Sequence, residues 1–162
     1  MNTPAPAPEW QIQQWLNTPE PVSLASLRGR VVLAIAFQML CPGCVSRGLP
    51  QALRARSAFA ENNLAVVGLH TVFEHHEAQG SRVALAAFLH EYRIGFPVGI
   101  DAPAAHGGPP QTMQAYGMRG TPTTLLIDRE GRLRLHHFGH LEDMELGAAI
   151  GRLLEQGAQA RS

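Results

Sequence analysis

The chain contains no lysine: all thirteen of its basic residues are arginine, and thirteen acids bring the formal net charge to zero. Nothing in that balance argues for nucleic acid or for an acidic membrane surface as a partner. Long apolar runs are also missing. No stretch approaches the roughly 20 apolar residues of a membrane span, so none is expected. The first eight residues, Met1 to Pro8, have neither a basic segment nor an apolar one, which speaks against a signal peptide. A chain that starts with Met suggests a cytoplasmic protein. Cysteine is scarce, with only Cys41 and Cys44. In a reducing compartment such a pair would not persist as a structural staple, which leaves catalysis or metal binding as its use.

What is present is enough for one domain. The chain has 162 residues, 45 % hydrophobic and 16 % charged, a composition that can bury a sizeable core. Residues 1–21 read as an N-terminal extension. Its first eight residues are expected to be extended and poorly ordered, and Trp10, Ile12, Trp15 and Leu16 to cover one edge of the core. Residues 22–156 read as the domain, and residues 157–162 as a frayed tail. Val31 to Phe37 has almost no polar alternation, the mark of a strand covered on both faces. Residues 45–61 follow a helical pattern, with a kink expected at Pro50, and Leu64 to Leu69 is a second buried strand. Together these make a βαβ unit with a right-handed crossover. Residues 70–82 are polar and read as a loop. A helix follows to Arg93, with Leu85, Phe88, Leu89 and Tyr92 inward. Then come a short strand ending at Asp101, a Pro/Gly loop, and a helical turn or two at residues 111–116. Thr123 to Ile127 and Arg132 to Phe138 form a hairpin across Asp128-Arg129-Glu130-Gly131. The last helix opens at Glu142-Asp143, where its dipole favours acids, and carries Leu146, Ile150, Leu153 and Leu154 as its apolar stripe.

The two cysteines lie between the first strong strand and the first helix, in Phe37-Gln38-Met39-Leu40-Cys41-Pro42-Gly43-Cys44. A helix N-terminus carries free N–H groups and a partial positive charge, and both stabilise a thiolate. The first cysteine stands at the exposed end. The second falls in the first turn, sheltered but within disulfide reach.

These residues resemble the thioredoxin superfamily, and more closely its redoxin branch of TlpA-like and AhpC/TSA-like proteins. Cys41-Pro42-Gly43-Cys44 is similar to the redox motif. Gly120-Thr121-Pro122-Thr123, followed by Leu125-Leu126-Ile127-Asp128 and Gly131, is similar to the branch's cis-proline loop and hairpin. The likeness covers roughly residues 22–154. It implies an α/β, thioredoxin-like fold: a central mixed sheet flanked by helices on both faces, with the N-terminal extension added. It also implies thiol–disulfide exchange with protein disulfide or dithiol partners and an upstream thiol reductant. No cofactor is implied beyond the redox-active Cys41–Cys44 pair, and no metal. Leu40, Pro42, Gly120, Thr121, Pro122 and Gly139 are expected to bind the substrate, and Arg119 and Glu74 are accessory candidates. A monomer or weak dimer is expected. Two features depart from thioredoxin: Leu40 stands where it has Trp, and the residues between the cysteines are reversed to Pro42-Gly43. The direction of electron flow therefore stays open.

Two rival readings also stay open. In a peroxiredoxin-like peroxidase, Cys44 would be the peroxidatic thiol, Cys41 its resolving partner and Arg119 the activating arginine. A copper or zinc site would need further ligands, for which His70, His75, His76, His136, His137 and His140 are available, although none stands at a tight ligand spacing from the cysteines. A binding module that has only inherited the fold is the third class, and the intact pair of cysteines argues against it.

Overall fold

The computed structural model describes residues 2–159. Among them a six-stranded sheet forms around strand β2 (Val31–Phe37). All seven β2 residues are buried, as their unbroken apolar run requires. Strand β3 (Leu64–His70) pairs with it in parallel, in step from Val31 opposite Leu64 to Phe37 opposite His70. Strand β4 (Val98–Asp101) continues the sheet in parallel beyond β3. On the other side lie β5 (Thr123–Ile127) and β6 (Leu133–Phe138), both antiparallel to their neighbours. Strand β1 (Ile12–Leu16) closes the far edge against β4, giving the order β1-β4-β3-β2-β5-β6.

The alternate side chains of β2 divide the core in two. Leu33, Ile35 and Phe37 meet helices α1 (Leu49–Ala58), α3 (Arg82–Glu91) and α5 (Asp143–Gln159). Val32, Ala34 and Ala36 face a thinner cover. It consists of Trp10, a 3-10 turn at Ala25–Leu27 and the short helix α4 (Gln111–Ala115). The expected mixed sheet with helices on both faces is present, with the long helices gathered on one side.

Several local expectations need correction. The N-terminal segment is part of the sheet. Ala7 N–H donates to Gly131 C=O (2.9 Å), and Leu133 N–H donates to Ala5 C=O (3.0 Å). These bonds cover the start of the open edge beside β6. Strand β1 was not legible because a bulge between Ile12 and Gln14 breaks the period of two that reveals a strand. Tyr92 is exposed, not inward. Helix α3 stops at Glu91, and the chain leaves it through Arg93 at φ 55°. At the other end, α5 runs on through Gly157 to Gln159, and the rest of the expected frayed tail, residues 160–162, lies outside the described residues.

Helix α1 also starts unusually. Helical backbone begins at Pro42 and passes through a π-turn at Cys44–Gly48 before regular α-helix starts at Leu49. Leu49 N–H reaches back to Cys44 C=O, a five-residue step. Pro50 has no N–H, so the hydrogen-bond phase can slip just ahead of it. The kink expected at Pro50 takes the form of this wider turn.

Candidate active site

Strand β2 delivers the chain to a tight corner, where Cys41 N–H donates to Gln38 C=O (3.3 Å). Cys41 and Cys44 are joined by a disulfide, with their Cα atoms 5.2 Å apart. Their exposure differs. Cys44 is 0 % exposed and belongs to the core between sheet and helices, whereas Cys41 is only partly buried at its edge. Cys44 N–H points at Cys41 Sγ (3.2 Å), one of the free donors of a helix start.

The loop before β5 faces this pair. The Thr121–Pro122 peptide bond is cis, and Thr121 C=O lies 3.5 Å from Cys41 Sγ. Pro122 rests directly on the start of the cysteine helix. A Cβ on Gly48 would sit 3.0 Å from Pro122 Cβ, and one on Gly43 would sit 3.5 Å from Pro122 Cδ. Gly139 N–H donates to Pro122 C=O (2.8 Å). Leu40, Pro42, Thr121, Pro122 and Gly139 thus gather around the dithiol from three elements. A cavity of about 190 Å³ opens beside Pro122 and Gly139, bordered also by Gly43, Arg47 and His140 but not by Thr121. Leu40 is 55 % exposed, an apolar side chain held in water next to the reactive pair.

The other named residues lie around this centre. Gly120 is buried under the ring of Phe138, which would meet a Cβ at 2.8 Å, so only glycine fits without moving the ring. The Arg119 guanidinium lies 5.7 Å from the centre of the same ring, an arrangement that holds it by cation–π attraction. Glu74 is exposed and receives Gln38 Nε2 at 3.4 Å. The histidines do not converge. His136 Nε2 faces Tyr116 C=O (3.0 Å), His137 Nε2 faces the carbonyl of His140 (2.7 Å), and His140 Nε2 meets Glu142 (2.9 Å). Among the described residues, no group of three or more His, Cys, Asp or Glu is placed to hold a metal. His70 is buried against the Phe37 ring, 5.2 Å between centres, and burial pulls its pKa down to about 4.

Three residues that sequence reasoning passed over belong here, Gln38, Gln79 and Phe138, together with His70, which it offered only as a metal ligand. Gln38 and Gln79, each 1 % exposed, form a side-chain relay behind the cysteine corner. Phe138 covers Gly120, and His70 lies beneath Phe37. Gln38 left a signal: a polar residue between Phe37 and Met39, at the end of a wholly buried strand, has to be hydrogen-bonded. Gln79 left none. It lies on helix α2 (His76–Gln79), a single turn inside a segment with no apolar period.

Comparison with known proteins agrees with this fold. The model of the AhpC/TSA family matches residues 3–136. The crystal structure of thioredoxin-like superfamily protein SPOA0173 is 59 % identical, with a TM-score of 0.89 over 92 % of this chain and 96 % of that one. A thiol-disulfide isomerase from Corynebacterium glutamicum is 45 % identical, with a TM-score of 0.88 over 93 % of this chain and 96 % of that one. Protein DipZ of Mycobacterium tuberculosis is 35 % identical over 79 % of this chain. The chain spans only 17 % of that relative's length.

Proposed function

The chain belongs to the AhpC/TSA family and is an oxidoreductase of thioredoxin-like fold; from that premise we propose that Cys41 and Cys44 exchange disulfides with protein substrates, Cys41 attacking and Cys44 resolving. The observation that carries this reading is the unequal exposure of the two sulfurs beside the Thr121–Pro122 loop. Only Cys41 is placed to meet a bulky disulfide.

In the reduced protein, the Cys41 thiolate attacks one sulfur of the substrate. A Cys41–substrate bond forms, the substrate disulfide breaks, and the departing thiolate takes a proton. Cys44 then attacks Cys41, closes the intramolecular disulfide and releases the second substrate thiol. The substrate gains two electrons and the dithiol loses two, to be restored by a thiol reductant. Thr121 supports the substrate: among the described residues its N–H has no hydrogen-bond partner and its C=O meets only Cys41 Sγ, so both can pair with an extended chain. Leu40 and Pro122 supply apolar contact.

This reading is tested by giving the reduced protein a protein disulfide and, separately, hydrogen peroxide. Reduction of the disulfide is expected, with peroxide consuming the thiols no faster than it consumes free cysteine. Fast sulfenic acid formation at Cys44 would favour the peroxidase instead. A second test concerns the seat of Pro122. Gly48→Ala places a methyl group within 3.0 Å of Pro122 Cβ and 3.4 Å of Ile35 Cδ1. Gly48 has helical φ/ψ, so the backbone tolerates alanine and gains up to about 1 kcal/mol of helix propensity, against about 1–3 kcal/mol for crowding a packed site, a net loss of stability of roughly 1–2 kcal/mol. Pro122 must yield by a few tenths of an ångström, and kcat/KM for disulfide exchange should fall about three- to tenfold. An unchanged kcat/KM would show that the position of Pro122 does not matter to the reaction.

A further inference from the structure

Gln38 and Gln79 are both buried behind the dithiol corner, each 1 % exposed, and their hydrogen bonds fix their direction. The N–H groups of Leu40 and Phe73 can only donate. They therefore meet Gln79 Oε1 (2.9 Å) and Gln38 Oε1 (3.2 Å). Gln79 Nε2 donates to Gln38 Oε1 (3.1 Å) and to Glu74 C=O (2.8 Å). With two donors already on its oxygen, Gln38 turns its Nε2 to the far side. There it donates to Thr121 Oγ1 (3.2 Å) and Glu74 Oε1 (3.4 Å). Reversing the Gln38 amide would set an N–H against two N–H groups at a buried site, which is costly.

Cys41 Sγ lies between two opposed influences. The Cys44 N–H at 3.2 Å favours a thiolate. The Thr121 carbonyl at 3.5 Å can accept from a thiol and repels a thiolate. Thr121 makes no backbone–backbone hydrogen bond among the described residues; its carbonyl is held on one side by the cis bond to the seated Pro122 and on the other by the side-chain bond to Gln38. The geometry points to Gln38 as a positioning residue that restrains thiolate formation at Cys41 by holding the Thr121 carbonyl in place. The inference rests on Cys41 being the reactive thiol of the proposed exchange. The charged or titratable side chains bordering this corner are Glu74 after β3, Arg47 in the π-turn and His140 after β6, and none is altered in the variants below.

The test uses the reduced full chain and compares Thr121→Val, Thr121→Ser, Gln38→Met and the Gln38→Met/Thr121→Val double variant. The pH dependence of Cys41 alkylation reports the thiol's acidity, because Cys44 is buried, and equilibration with glutathione reports the potential of the pair. Thr121→Val and Gln38→Met should each lower the Cys41 pKa. The thiolate fraction below that pKa should rise about three- to tenfold, the effect of one lost hydrogen bond, and the pair should become easier to reduce. Thr121→Ser keeps the acceptor and should match wild type. The double variant should shift no further than the larger single one, because both remove the same bond. A wild-type titration in Thr121→Val, a Thr121→Ser that behaves like Val, or additive shifts would overturn the proposal. If Gln38→Met does not fold, the two Thr121 variants decide alone. Neither readout needs a protein substrate, so failure of exchange activity would overturn the functional reading separately.

Discussion

Replacing Cys44 with serine should turn a protein that exchanges disulfides into one that remains covalently attached to them. Incubated with a protein disulfide, reduced Cys44→Ser should accumulate a mixed disulfide through Cys41, visible on non-reducing gels and reversed by dithiothreitol. Cys41→Ser should accumulate none. Turnover should fall in both by on the order of a thousandfold or more, as when an enzyme loses a covalent nucleophile. The asymmetry follows from access. An attacking sulfur must approach the substrate disulfide in line, and Cys44 is 0 % exposed, so a protein substrate cannot reach it without local opening. Cys41 stands at the helix start beside Thr121, where an extended chain can pair with the loop. Once the mixed disulfide forms, Cys44 is already in place to attack it, with the two Cα atoms 5.2 Å apart in the closed disulfide. Trapping through Cys44 in Cys41→Ser, with none through Cys41 in Cys44→Ser, would reverse the roles and strengthen the peroxidase reading.

The centre of this site was legible because its parts are local. A fully apolar strand, a Cys-X-X-Cys pair and a helical pattern in succession place the dithiol at a corner, and Val31–Phe37 and Leu64–Leu69 read as buried strands from apolar content alone, His70 being left to the following loop. The Gly120-Thr121-Pro122 loop was connected to the cysteines only through resemblance. Nothing local in the sequence says that a segment about 80 residues away closes on Cys41. What was missed is tertiary in origin. Strand β1 owes its place to pairing with β4 across a bulge that erases its alternation. The Gln38–Gln79 relay joins residues 41 positions apart, and Gln79 looks like any other member of a polar loop. Arg119, considered as an activating group for a peroxidatic thiol, instead lies over Phe138, a contact between the loop before β5 and the end of β6.

Acid should weaken the wild-type protein through His70, and His70→Leu should remove that weakness. His70 ends β3 opposite Phe37. It is 1 % exposed, its ring is tilted over the Phe37 ring, and its Nε2 has no hydrogen-bond partner. Burial alone brings its pKa from 6.5 to about 4, because a charged imidazolium there would lose its hydration without gaining a counter-ion. The unfolded chain therefore takes up a proton at this residue before the folded chain does. Above pH 6.5 neither state is protonated and the group leaves stability unaffected. As pH falls from 6.5 to about 4 the unfolded state is progressively favoured, and below that the loss is constant, at about 3 kcal/mol. That is a large share of the roughly 5–15 kcal/mol that stabilises a typical domain. Urea midpoints of wild type and His70→Leu at pH 7.5, 6 and 4.5 separate this effect from the titration of surface carboxylates, which the two proteins share. At pH 7.5 they should agree to within about 1 kcal/mol, since leucine suits the apolar surroundings and removes an unpaired nitrogen. By pH 4.5 the variant should be ahead by about 2–3 kcal/mol. Parallel curves would mean that His70 is not held neutral, and the argument from burial would fail. The consequence reaches the active site through Phe37, the last residue of β2, one position before Gln38 and four before Cys41. Protonating His70 disturbs the strand end that carries the dithiol corner. In reduced wild-type protein, the buried Cys44 should therefore become open to alkylation at mildly acidic pH sooner than in His70→Leu.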